Sequence, residues 1–235
     1  SGSICFQVAA TPPAFCVGIP QSVFPYLEDF SSFTPATGAS GASAFGSLNN
    51  NWTRTPGPGT SYGWCVRSAP TSSSQTGPSG DNTGGGNYLF TESSMSGSPA
   101  VLTSNCLDFS NMTNPILEFY FHMYGATMGT LEVEVTDGTT TTTMWTQNGQ
   151  VQSSETDPWQ KVTIPLSAFA GEIVQISWIG TRGSSFTSDM AIDDVYIFEP
   201  QPNDMSILSI DSPNNGGCDL TASEQVTVSV VNLGT

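Results

Sequence analysis

The chain has 235 residues, of which 37% are hydrophobic and only 10% charged, and four Lys or Arg stand against twenty Asp or Glu for a net charge of -16. That length allows one main domain with flanking pieces, while the acidic balance repels phosphate backbones and anionic lipid and so disfavours nucleic-acid and membrane-surface roles. No apolar run of about eighteen residues occurs, and no basic and apolar leader opens the chain, so neither membrane insertion nor a signal peptide is expected.

Taken in order, SGSICFQVAA (Ser1 to Ala10) reads as a terminal strand without a preceding partner, as in a segment cut from a longer polypeptide. TPPAFCVGIPQS carries Pro12, Pro13 and Pro20 with no periodicity and reads as a tether, so residues 1–23 form a flank. A domain opens near Phe24 with a short strand, FPYLEDF, that holds Glu28 and Asp29. The next roughly sixty residues are rich in Gly, Ser, Pro and Thr, too long for an idle loop, and hide candidate strands at 51–55 and 62–68. GPSGDNTGGGNYLFTES (Gly77 to Ser93) is glycine-rich but has no lysine and no following helix, so it is a backbone device feeding a strand around Tyr88 to Phe90, not a phosphate cradle.

AVLTS and CLDF then lead into the strongest signal. Leu117, Phe119, Phe121 and Met123 alternate with Glu118, Tyr120 and His122, and after a glycine-bearing corner Leu131, Val133 and Val135 alternate with Glu132 and Glu134. This period of two is that of half-buried strands. Asp137-Gly138 marks a hairpin, and the threonine run behind it supplies a β-branched returning strand. Further strands fall at 159–166, 172–180 and 190–199. QPND closes the domain, and residues 200–235 read as the first two strands of another sandwich. No helical period occurs, and strands every ten or so residues predict an all-β jelly-roll sandwich over residues 24–199.

The cysteines lie at 5, 16, 65, 106 and 218, with no C-x-x-C spacing, in a composition that favours disulfides over metal ligation. The expected pairs are Cys5 with Cys16 and Cys65 with Cys106, leaving Cys218 for a partner beyond Thr235.

Four motifs in order carry a family resemblance. GPSGDNTGGGNY, HMYGATMGTLEVEV, Met144-Trp145 with the following NGQ, and DMAIDDVYI (Asp189 to Ile197) resemble the glycine loop, the glycine corner, the Leu-Trp strand and the terminal Ala-Ile-Asp-Asp strand of the MAM domain. The resemblance implies a jelly roll that adheres and does no chemistry, in a secreted, extracellular multidomain surface protein, and the flanks agree with one of bacterial type. In the same terms, the N-terminal flank is similar to the exit of a fibronectin type III domain and the C-terminal one to the start of an immunoglobulin-like domain. The expected partners are other proteins, surface glycans or further copies of itself.

Candidate chemistry is sparse. His122 is the only histidine, so every His-based triad or zinc site would need it, and inside a strand it reads as a structural imidazole hydrogen-bonded at the sheet corner. Glu132 and Glu134 share one outward face and read as solvated charge, and Lys161 as an exposed lysine, not a cross-linking one. Glu28, Asp81 and Asp194 come from the first strand, the glycine loop and the last strand, which in a sandwich commonly lie side by side. The resemblance supports a structural cation there, with Asp29 and Thr83 as supplements, and an all-oxygen donor set selects Ca2+. The alternation places Asp193 and Asp194 on opposite faces, so Asp194 alone is the expected ligand of that pair. An alternative function, a carbohydrate-binding jelly roll appended to a secreted hydrolase or peptidase, would need exposed aromatic side chains, for which Trp52, Tyr62 and Trp64 are the candidates.

Overall fold

The computed structural model of the chain describes residues 13–39, 41–200, 205–212 and 226–232. Its strands are β1 (Tyr26–Glu28), β2 (Thr53–Thr55), β3 (Trp64–Arg67), β4 (Tyr88–Thr91), β5 (Ala100–Thr103), β6 (Leu107–Asp108), β7 (Ile116–Met123), β8 (Thr130–Thr136), β9 (Thr141–Asn148), β10 (Gln160–Pro165), β11 (Ile173–Thr181), β12 (Met190–Phe198), β13 (Met205–Ser212) and β14 (Thr227–Asn232). Helical structure among the described residues is limited to short 3-10 turns at Gly41–Ala44 and Ser167–Phe169. The chain divides into two compact units after Phe198.

The first unit is a jelly-roll sandwich of two antiparallel sheets. One runs β10-β7-β12-β4-β3, with β1 added along β12. The other runs β2-β5-β11-β8-β9, with β6 added along β11. The alternation of β7 and β8 becomes facing inner layers. Leu117, Phe119, Phe121 and Met123 from one sheet meet Leu131, Val133 and Val135 from the other in a single buried cluster. Phe119 lies edge-on to Trp178 at 5.8 Å, and Trp52 stacks on Trp178 at 5.5 Å, so the centre of the core is aromatic.

The glycine corner between β7 and β8 is set by backbone crowding. Gly125 has φ +150°, and a Cβ there would meet the Thr187 carbonyl; one at Gly129 would meet the Thr181 carbonyl. Only glycine admits that approach. At the other end, Asp137 accepts N–H bonds from Thr139 and Thr140, and Gly138 takes φ +84°, which closes the β8–β9 hairpin as Asp-Gly predicts.

The first sheet is covered on its outer face as well. Phe45, Cys65, Tyr88, Phe90 and Ala191 form a second buried cluster, with Trp159 packed against it. Arg54 secures the loop over that face by donating to the carbonyls of Phe45, Gly46 and Trp64. Cys65 therefore points away from the second sheet, whereas Cys106 precedes β6 on it.

The expected cysteine pairing fails for this reason. Cys16 bonds Cys106, with Cα atoms 5.7 Å apart, and Cys65 is a buried free thiol. The tether around Gln21 runs beside β6, with Gln21 N–H donating to Cys106 and Asp108 N–H donating to Gln21, and so delivers Cys16 to Cys106. Cys5 and Cys218, the strand over 1–10 and most of the C-terminal flank lie outside the described residues. Of the second unit, β13 and β14 form an antiparallel ribbon.

Candidate functional site

The first and last strands of the sandwich do lie side by side, with Glu28 opposite Val195. The five expected calcium ligands nevertheless do not close on one point. Glu28 is buried, and its carboxylate accepts bonds from Phe30 N–H at 3.0 Å, Asn50 Nδ2 at 2.8 Å and Tyr26 OH at 3.2 Å. Burial raises its pKa despite those donors. Asp29 turns away to cap Ser31, whose hydroxyl and N–H hold it below the usual range.

Asp81 closes its own loop, accepting Thr83 Oγ1 at 3.1 Å and the N–H groups of Gly84 and Gly85 at 3.0 and 2.7 Å. Burial works against its charge, but these donors outweigh it and leave the pKa lowered. Asp194 accepts Asn82 Nδ2 at 2.8 Å. Among the described residues no three Asp, Glu, His or Cys side chains converge as a metal centre. The five-residue set does not fit one ion.

The alternation behind the choice of Asp194 over Asp193 does not hold in the structure. The β7–β12 register shifts between Asp193 and Tyr196, and Asp194 takes φ +47°. That bulge breaks the strict alternation on which the choice rested, so both carboxylates reach the glycine loop. Asp193 is the more buried, accepting Asn82 N–H at 2.9 Å and Asp194 N–H at 2.8 Å. Burial first, then the charges of Asp194 and Asp81, push it up to about 8.

Trp52, Tyr62 and Trp64 are 4%, 0% and 0% exposed, so they are no ligand surface. A loop poor in pattern but holding large aromatics is folded inward because the sandwich needs their area. His122 is structural, with its ring set against the backbone of Ser154 and Asp157. It is 0% exposed and 5.6 Å from the Trp159 ring. Burial lowers its pKa to about 4. Lys161 pairs with Glu118 at 3.0 Å on the sheet surface.

Two groupings escaped the sequence reading. Glu92 and Asp189 are both buried beside Tyr62 and Ser93, whose N–H donates to Asp189 at 2.8 Å. Burial, then the charge of Glu92, push the Asp189 carboxyl up to about 8. The folded state then holds a proton that the unfolded chain, with a carboxyl near about 3.9, has already released. Stability from this group is full below the unfolded value and lost as pH rises through the folded one. The melting temperature is therefore expected to fall between about pH 4 and 8, and Asp189→Asn should flatten the fall. An equally steep fall in the variant would assign it to other groups.

The second grouping is an open groove of about 660 Å³ between the 68–70, 79–85 and 155–159 segments, walled by Trp159 and by Asp81, Glu155 and Asp157. The signal for it is the acidic turn Ser-Glu-Thr-Asp-Pro directly before Trp159.

The family model of the MAM domain, meprin/A5/mu, matches residues 44–202. The chain is similar to thyroid hormone-induced protein B of Xenopus laevis, 34% identical over 137 residues that cover 56% of this chain and 19% of that protein. It is likewise similar to MAM domain-containing glycosylphosphatidylinositol anchor protein 1 of Rattus norvegicus, 34% identical over 136 residues, covering 54% and 13%. The match thus spans under a fifth of those relatives' length. Among solved structures it is similar to a cleaved adhesin domain of Lys-gingipain from Porphyromonas gingivalis, at 15% identity and TM-score 0.48, covering 74% of this chain and 98% of that one.

Proposed function

Because the chain belongs to the MAM domain family, we propose that it is a non-catalytic adhesion module of a secreted, cell-surface, multidomain protein, engaging other proteins, surface glycans or further copies of itself. The family match over residues 44–202 carries the reading. The burial of His122 supports its non-catalytic half, since general acid or base work by histidine needs contact with substrate and a pKa near the working pH. A disulfide and a relative named as a glycosylphosphatidylinositol anchor protein support the extracellular setting. The exposed Ile207, Leu208, Val228 and Val230 of the ribbon support a larger mosaic, being side chains that further strands of a sandwich would cover. The carbohydrate-binding alternative loses the aromatic surface it needed.

Immobilised on a sensor and passed over arrays of extracellular proteins and glycans, the chain is expected to retain ligands unchanged. Retention of nothing from either array would overturn the proposal.

Calcium stays in the proposal in reduced form, resting on the mutual repulsion of Asp193, Asp194 and Asp81 and not on a converged cage. A divalent cation near them would relieve that repulsion, and millimolar affinity suits extracellular modules. The protein is expected to melt at a higher temperature in millimolar calcium than in chelator. Equal temperatures would remove the ion from the account.

A further inference from the structure

The groove beside Trp159 has the chemistry of a receptor for a positively charged side chain. Its three carboxylates are not equivalent. Asp157 accepts four hydrogen bonds, from the N–H and hydroxyl of Ser153 at 2.7 Å each and from those of Ser154 at 3.1 and 2.7 Å. Asp81 accepts three, from Thr83, Gly84 and Gly85. A carboxylate offers about four lone-pair sites, so these two have little acceptor capacity left for sugar hydroxyls. They keep their charge. Glu155, at the exposed rim, accepts no side-chain hydrogen bond among the described residues, although its carbonyl takes Ser79 N–H at 2.8 Å.

Among the described residues no basic one lines the groove. Arg67, next to its wall, donates to the carbonyls of Pro70 and Gly38. The imidazole behind Trp159 is kept uncharged by burial, so no cation compensates from below. Trp159 itself is locked, edge-on to Tyr88 at 5.7 Å and tilted against His122 at 5.6 Å. His122 lies against the backbone of the Ser154 to Asp157 turn and so braces the indole from behind. A rigid indole beside charges of one sign offers a cation both a ring face and a focused field.

We propose that this groove binds an arginine or lysine side chain on an exposed loop of a partner protein, with Glu155 as the ion-pair partner and Trp159 as the aromatic wall. The proposal deepens the adhesion-module reading and rests on it. Hydrogen-bond saturation favours a cation over a glycan, because charge acts at a distance where filled lone pairs do not.

The test titrates the intact protein, in chelator and at low salt, with an acetylated tetra-arginine peptide. Binding is expected to weaken about fivefold in Glu155→Gln and also in Trp159→Phe, which preserves the packing, with little change in Glu132→Gln, which removes the same charge from the outer face of β8. Equal weakening by Glu155→Gln and Glu132→Gln would reduce the effect to diffuse attraction and overturn the site, as would no binding, or displacement of the peptide by neutral oligosaccharides. Loss of peptide binding with array ligands still retained would sink the groove and leave the module; loss of both would sink the module too.

Discussion

The double variant Cys16→Ser, Cys106→Ser is expected to unfold with about 4.6 kcal/mol less free energy than the oxidised protein. The bond closes a loop with a sequence separation of 90, and the loss of chain entropy in the unfolded state grows with the logarithm of that length. Few single features of a domain this size carry as much, since net stabilities are commonly about 5–15 kcal/mol. Urea midpoints of the oxidised protein and the variant measure the difference. A loss below about 1 kcal/mol, far short of the loop-entropy value, would mean that the Gln21 contacts to β6 hold the tether without the bond. The buried Cys65 thiol should resist alkylation in the native protein, since burial raises its pKa to well above the usual thiol range.

The second large effect is at Trp64. Trp64→Ala is expected to cost about 3–5 kcal/mol, the range for removing a large aromatic from a packed core. The ring is wholly buried, and its Nε1 donates to the Ala100 carbonyl at 3.2 Å, so the cavity also strands a polar group across the two sheets. Trp64→Phe keeps much of the area and should lose less. Denaturant unfolding of both variants checks the order. An unchanged stability together with lost glycan binding would return Trp64 to the surface role suggested by the composition of its loop.

The sequence and the structure part company in an instructive way. Wherever one face of a strand is core and the other is polar, as in β7 and β8, alternation alone identifies both strand and face. The Gly125 to Gly129 corner was visible as a motif, though not the carbonyl contacts that demand it. Alternation stops being informative where both faces are covered. Tyr88, Leu89, Phe90 and Thr91 are all buried, and β3 sends Trp64 inward and Cys65 to the outer cluster. The free Cys65 thiol followed from that hidden second cluster, which no period of two announces.

The site residues were harder for related reasons. A bulge at Asp194 carried Asp193 to the loop that alternation assigned to its neighbour. Acids read as ligands also cap turns, because Asp followed by Ser, Thr or Gly satisfies nearby N–H groups as readily as it holds a metal. The groove joins three segments distant in sequence, so only the fold assembles it.

The central claim is that this chain adheres and does not catalyse. The most direct measurement is a paired assay on one preparation, scoring the tethering of protein-coated beads to ligand-bearing beads and the release of product from peptide and glycan substrates. The account predicts tethering with no product released, in the wild type and in His122→Gln alike. Product release by the wild type that is abolished in His122→Gln, without tethering, would contradict it.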